Sequence, residues 1–386
     1  MNVREPQRPQ PATLFWAFLR LGATAFGGPA MVHYIGELAM NRRRWLSPEE
    51  FREGAALCQS IPGATAMQTA AYVGLRAGGV RGAAAAYVGF ALPAALLMLA
   101  ASMAYGHAAS HPTIQATFRG FHAVIVALAA NAALRFGRGN VRSALDVLLV
   151  LACALALYAG ASPVTVIAGA ALLCIALRRR GPSSPPAAGT PTGARVGSRT
   201  MVGLLAGGAA ALLALLALAP RLGALAAICM KVDALAFGGG FASVPLMYRE
   251  MVTSRSWIDP KTFMDGIALG QVTPGPIVIT ATFVGYQVAG ALVATGSIFF
   301  PSFVMVLAAA RSFAALRARR WFEPGLHGAL LSFVGLLVFV TFQFAGAVGW
   351  TVGTGILAAG AFGALLAGVD VLWVVLGAAG IAVIVL

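Results

Sequence analysis

Hydrophobic residues run in long blocks separated by short polar seams. The first block, 12–40, is interrupted at Phe26-Gly27-Gly28-Pro29, and the second, 51–76, at Ile61-Pro62-Gly63. Between them lies NRRRWLSPEE, whose Ser47-Pro48-Glu49-Glu50 predicts a helix start with serine as cap and proline first inside. Four cleaner blocks follow, near 82–106, 116–136, 142–158 and 162–178. Apolar runs of about 20 residues predict membrane-spanning helices. Arg178 to Thr200 is basic and rich in Pro, Gly and Ser, a linker without a face to bury. A lone block, 201–219, comes next. The pattern then restarts: 222–249 broken at Gly238-Gly239-Gly240, 262–286 broken at Pro274-Gly275-Pro276, then 288–310, 323–345, 348–366 and 369–386. Six units, one linker unit and six more make about 13.

The restart is a repeat. FLRLGATAFGGP from Phe18 lies over ICMKVDALAFGGG from Ile228, and WLSPEEFREGAALCQSIPGATAMQTAAYVG lies over WIDPKTFMDGIALGQVTPGPIVITATFVG. Phe26-Gly27-Gly28 meets Phe237-Gly238-Gly239, Trp45 meets Trp257, Gln59 meets Gln271, Pro62-Gly63 meets Pro274-Gly275 and Thr69 meets Thr280. Arg20 with Lys231 and Glu53 with Asp265 match in charge, and Glu37 matches Glu250 across a small gap. Further on, Pro93 falls opposite Pro301, and Gly120-Phe121-His122 opposite Gly325-Leu326-His327. Six units return the chain to its starting side, so the single helix 201–219 turns the second copy over. The expected fold is an all-α integral membrane protein with two inverted-topology repeats and broken or re-entrant helices, as in many secondary transporters. Its parts are a cytoplasmic tail 1–11, a first repeat 12–178, a cytoplasmic linker 179–200, the linker helix 201–219 and an inverted repeat 220–386.

Composition agrees with this pattern. The 386 residues are 59% hydrophobic and 10% charged, against roughly 25% charged in soluble domains. The net charge of +15 would suit nucleic acid, but the arginines sit at the ends of apolar segments, as topology signals do. Nucleic acid is not expected as a partner. Cys58, Cys153, Cys174 and Cys229 lie within apolar segments without metal-ligand spacing, and the five histidines form no metal motif. No metal or cofactor is expected. No small-residue cleavage site closes the first apolar run, so that segment is expected to be retained.

Orientation follows from the basic residues. Arg135, Arg138, Arg142, Arg178 to Arg180, Arg195, Arg199, Arg311, Arg317, Arg319 and Arg320 share one predicted face, while loops 107–115, 159–161 and 346–349 carry no Lys or Arg. The first set is expected in the cytoplasm. Arg42 to Arg44 join it only if 12–40 and 51–76 are re-entrant hairpins, which is the preferred reading; Arg249, Arg255 and Lys261 then stand outside, against the rule.

The breaks are where chemistry is expected. Backbone groups freed in mid-membrane persist only against protein or a water-filled cavity, and a half-helix starting there points N–H groups and partial positive charge at it. Four symmetry-matched breaks, at Gly27-Gly28, Gly63, Gly238-Gly239 and Gly275, thus suggest an anion site. Arg20 and Lys231, each six residues before an FGG break, strengthen that reading, since a cation near the bilayer centre usually faces a cavity or partner; snorkelling to the interface is the alternative. Gln59 and Gln271 are candidate hydrogen-bond donors, as are Thr69 and Thr280 unless they bond their own helix backbone. Glu53 and Asp265, then Glu37 and Glu250, are candidates to carry a coupling proton; Glu53 and Asp265 alternatively stabilise helix starts. The sparse His, buried Cys and missing P-loop argue against an enzyme and against direct ATP drive.

The doubled F-G-G followed by W-x-x-x-x-F-x-x-G-x-A-L-x-Q-x-x-P-G-x-x-x-x-T-A resembles the chromate ion transporter family of bacterial inner-membrane proteins, in its long two-domain form. The resemblance implies chromate efflux, with the proton motive force as energy source and thus an antiporter. Sulfate, similar in shape and charge, is an expected competitor or alternative substrate. Expected partners are therefore the oxyanion, the lipid bilayer and, as one assembly, a second copy in a homodimer.

Overall fold

The computed structural model describes residues 9–26, 30–108, 111–177 and 196–385, and every regular element among them is helical. The first repeat comprises α1 (Pro11–Thr24), α2 (Ala30–Gly36) with a π-helical turn Glu37–Arg42, α3 (Pro48–Ser60), α4 (Thr65–Ala108), α5 (Pro112–Asn140), α6 (Ala144–Tyr158) and α7 (Pro163–Ala176). After α8 (Ser198–Leu218) the second repeat runs through α9 (Pro220–Leu235), α10 (Ser243–Tyr248) with a π-helical turn Arg249–Thr253, α11 (Pro260–Val272) and α12 (Thr280–Gln287). It closes with α13 (Ala291–Arg317), α14 (Phe322–Ala347), α15 (Val352–Leu366) and α16 (Val371–Val385). Helix starts are local chemistry. At α3 the Ser47 hydroxyl accepts from the Glu50 amide while the Glu50 carboxylate accepts from the Ser47 amide, a reciprocal cap with proline in the first turn. α6 repeats the device with Ser143 and Asp146.

The broken units are hairpins. α3 descends and the first arm of α4 (65–77) returns beside it, turning at Gly63: Cys58 lies beside Thr69, Gly54 lies against the Tyr72 ring, and Glu50 pairs with Arg76 at the mouth. The chain reverses again at Gly78 (φ −136°) and Gly79 (φ 67°). The second arm of α4 (80–108) therefore runs back along the first, with the Gly74 and Gly82 backbones touching. α1 runs parallel to that second arm, Leu14 meeting Gly82 and Gly22 meeting the Phe90 carbonyl. The chain then returns through α2, which sets Gly36 against Phe51 and stacks Trp45 on Phe18 at 6.3 Å.

The second repeat copies this arrangement. Gly266 faces Phe283 and Gly270 faces Thr280 across a hairpin that turns at Gly275, and a tight reversal at Ala289 (φ 61°) leads into α13. At the mouth of the α9–α10 hairpin, Arg221 and Arg255 lie 6.0 and 5.9 Å from the Trp257 ring.

Two long helices show that the hairpins enter from opposite faces. Along the second arm of α4, Gly82 sits at the first repeat's mouth, Ala94 at the Gly275 turn, Met98 beside Gly270, and Tyr105 bonds Asp265. Along α13, Ala294 meets Gly285 at the second mouth, Ser302 meets Gly63, and Leu307 clusters with Leu75 and Ala83 at the first. Pro93 and Pro301 stand in these two helices at the level of the hairpin tips. α8 starts near Leu75, Ala83 and Leu307 through Val196 and ends with Leu216 against Gly223. It crosses once, and that single crossing inverts the second copy.

Among the described residues, five helices are long and apolar enough to cross a membrane: Thr65–Gly106, Thr113–Asn140, Ser198–Leu218, Ala291–Ala310 and Phe322–Ala347. The first is turned at Gly78-Gly79, so its second arm makes the crossing. Elsewhere small residues let backbones approach, Gly328 against Ala170 and Gly335 against Val150 and Cys153, as expected where lipid offers no hydrophobic drive for helix association.

The charge expectation meets its difficulty here. Arg42 to Arg44 share the face of the Gly78-Gly79 turn, as hairpins require. Arg249 lies on the other face, where it donates to the Gly160 and Ala161 carbonyls at the end of α6 (2.7 and 3.4 Å). There it satisfies a helix C-terminus and its dipole, while Arg255 is paired with Glu250. Local partners hold both cations against the topological rule. The expected basic linker falls mostly on residues 178–195, outside the described residues.

Candidate functional site

The tips of the two repeats are tied by a reciprocal pair of backbone bonds. The Gly63 amide donates to the Ala236 carbonyl and the Gly275 amide to the Ala25 carbonyl, both at 2.9 Å. The two glycines share a left-handed backbone, φ 114° and 118°. A Cβ on Gly63 would lie 2.1 Å from Ser302 Oγ, and one on Gly275 would lie 2.5 Å from Ala94 Cβ. Only glycine suits either place. These two amides, expected to face an anion, are thus committed to the other repeat's carbonyls in this conformation. Gly27 and Gly28 lie outside the described residues, whereas Gly238 (φ 89°) is exposed beside Phe136 and Gly239 (φ 97°) is buried against Thr65.

Around the first tip lies a network that the repeat comparison does not reveal. Ser302 Oγ accepts from the Ala64 amide at 2.9 Å and donates to Asp233 Oδ1 at 2.9 Å, while the Ser302 amide donates to Asp233 Oδ2 at 2.7 Å. Pro301 interrupts the helical ladder just before this amide. Gln68 Nε2 donates to the Pro62 carbonyl at 2.5 Å, and its Oε1 is buried without a partner among the described residues. Asp233, Ser302 and Gln68 are each 0% exposed. Asp233 was legible as an acid inside an apolar run, which costs several kcal/mol unless it has a role or a partner. Aligning the copies hides it, because its counterpart is Gly22.

The expected cations stand apart from the tips. Lys231 Nζ donates to Glu250 Oε1 at 2.6 Å, and Glu250 also pairs with Arg255. Arg20 is exposed and has no ion-pair partner among the described residues. The expected match of Glu37 with Glu250 is off by one. The Trp45 amide bonds Ala39 and the Trp257 amide bonds Met251, so Glu37 falls opposite Arg249 and Glu250 opposite Leu38. The insertion that shifts the register lies earlier, between the FGG break and the π-helical turn. Glu37 instead accepts from Asn41 at 2.5 Å.

Thr69 and Thr280 donate to the Thr65 and Ile277 carbonyls, both at 2.8 Å, taking the backbone alternative. Gln59 is exposed, and Gln271 keeps a buried Nε2 without a partner. Asp265 is 6% exposed and accepts from Tyr105 Oη at 2.6 Å, with His122 Nε2 also at 2.6 Å. Its counterpart Glu53 is half-buried and makes no such contact, because α3 barely meets α14 whereas α11 packs on α5. His327 instead lies 3.3 Å from Asp146. Among the described residues no group of three His, Cys, Asp or Glu side chains converges on a metal position, and all four cysteines are buried and outside any disulfide.

Two repeats whose re-entrant hairpins meet tip to tip from opposite faces define a multi-pass membrane protein of the transporter type. The profile of the chromate transporter family matches residues 12–175 and 223–384, and the chain belongs to that family. It is 41% identical to an uncharacterized transporter of Methanocaldococcus jannaschii, over 91% of this chain and 88% of that one. It is 31% identical to a chromate transport protein of Cupriavidus metallidurans, over 82% and 76% of the two chains. The same identity, over 90% and 85%, relates it to a chromate transport protein of Pseudomonas aeruginosa. No solved structure matches it.

Proposed function

We propose that this chain is a secondary transporter that exports chromate across the plasma membrane, driven by the proton motive force. The reciprocal Gly63–Ala236 and Gly275–Ala25 bonds carry the reading. They hold shut the place where, among the described residues, hairpins from both faces meet tip to tip. Parting them toward one face and then the other would give alternating access around a fixed site, and would free amides at helix starts for an oxyanion. Gly238 and Gly239 extend that lining, with Gln59 and Gln271 one turn from Gly63 and Gly275. Arg20 and Lys231 serve as approach charges rather than as direct ligands. Of the four acids considered for proton coupling, Asp265 is best placed, since Tyr105 and His122 can exchange protons with it. The face of Arg42 to Arg44 is cytoplasmic, following the arginine bias.

The test is uptake by everted membrane vesicles carrying this chain. Under an imposed proton gradient they should accumulate chromate above vesicles lacking it, and equal accumulation contradicts the proposal.

A further inference from the structure

The two tips are related by pseudo-symmetry, yet their chemistry differs at three matched positions. Around the first tip stand Asp233, the Ser302 hydroxyl and the Ala64 amide, linked by bonds of 2.9, 2.7 and 2.9 Å. The matching positions at the second tip are Gly22, Ala94 and Pro276, which offer no carboxylate, no hydroxyl and no N–H. Ala94 sits against Gly275 as Ser302 sits against Gly63. One tip has a complete polar node, and its twin has none of it.

The node also has the form of an occupied site. Ala64 precedes the first arm of α4, a helical arm of thirteen residues (65–77), and its N–H is aimed with the helix start. Ser302 Oγ fills the position that an oxyanion oxygen would take there. Beside it, Gln68 Oε1 is fully buried and has no partner among the described residues, and the same amide's Nε2 lies 3.5 Å from Ser302 Oγ. A buried amide left half-satisfied at a helix start points to a ligand that reorganises it.

Among the described residues, Asp233 faces this position without a cation. From α13 it meets Ser302; Tyr87 approaches from the second arm of α4, and Cys229 lies one turn earlier on α9. Lys231, two residues away, is turned to Glu250. Bringing an oxyanion to the Ala64 amide sets two negative charges side by side in a site closed to water, and protonating the carboxylate relieves this.

We propose that the oxyanion seats at the first repeat's tip, replacing the Ser302 hydroxyl on the Ala64 amide, and that Asp233 takes up a proton as the anion arrives. The proposal rests on the transporter reading above. The proton comes from solvent and stays on the carboxylate; no bond of the oxyanion is made or broken. Proton uptake on anion binding is then a local property of this node, distinct from the proton that Asp265, near the second mouth, exchanges to couple transport.

The experiment measures radiolabelled chromate binding to the purified full-length chain, with a pH indicator in weakly buffered, mildly alkaline solution where free chromate is fully ionised. The wild type should take up about one proton per chromate bound. Asp233→Asn should bind chromate more tightly and take up none. Ala64→Pro removes the amide at the position where the second repeat carries Pro276, and should weaken binding about ten- to hundredfold. Pro276→Ala should leave binding unchanged. Binding by the wild type without proton uptake, proton uptake that persists in Asp233→Asn, or Ala64→Pro binding like wild type each overturns the proposal. A wild type that binds no chromate at all overturns the transporter reading instead.

Discussion

The Gly63 amide of one repeat bonds the Ala236 carbonyl of the other at 2.9 Å, and pseudo-symmetry repeats the bond from Gly275 to Ala25. At the tips the halves are therefore joined by a reciprocal pair of backbone bonds, through two glycines whose φ values no other residue adopts readily. Gly63→Ala and Gly275→Ala each add backbone strain of about 1–3 kcal/mol, together with a clash against Ser302 or Ala94. Both variants should show lowered thermal stability in detergent and lose most chromate flux. A Gly63→Ala protein of wild-type stability and flux would remove the tip bonds from the account.

Hairpins and full crossings place the polar turns differently. Single cysteines at Arg43 and Arg319 should react with an impermeant thiol reagent from the same face, and cysteines at Arg255 and Ala289 from the other. The native cysteines are all buried, so background labelling should be low. Labelling of positions 43 and 319 from opposite faces would show that the first unit crosses fully.

Asp265, Tyr105 and His122 form a buried cluster with two contacts of 2.6 Å. Asp265→Asn should abolish chromate accumulation driven by a proton gradient while preserving chromate exchange at equal pH on both sides. Glu53→Gln, altering a carboxylate without such partners, should reduce gradient-driven flux less than twofold, on the order of a surface change. Gradient-driven accumulation that survives in Asp265→Asn would exclude it from coupling.

Lys231 is about two-fifths exposed and shares Glu250 with Arg255. Its contribution should be attraction of the anion rather than direct ligation. Lys231→Ala and Arg20→Ala are each expected to raise the chromate KM a few-fold at low ionic strength, with the effect fading as salt screens it. A loss of kcat that is independent of salt would place these cations in the site itself.

Much of this architecture was legible in the sequence because breakers have local consequences. Pro62-Gly63 and Pro274-Gly275 announced turns inside apolar runs, and the lone block before residue 220 announced inversion. Ser47 and Glu50 announced a helix start that forms as read. The polar node was not legible, since Asp233 meets Ser302 and Ala64 only after three separate segments converge. Comparing the repeats worked against finding it, because that comparison favours what the halves share. The same bias misaligned Glu37 with Glu250: like charges invited a shift one residue longer than the backbone register requires. The tip amides looked free because their acceptors, Ala236 and Ala25, carry no side-chain signal.

The most direct measurement is the reactivity of a cysteine at position 64 toward a small membrane-impermeant thiol reagent, added to either face of sealed vesicles. Ala64 lies at the meeting point of the hairpins and is 1% exposed when they are closed. If the tips part alternately around an oxyanion, Ala64→Cys should react slowly from both faces and be protected by chromate from both. Reaction from one face only, or reaction that chromate does not slow, would contradict the account.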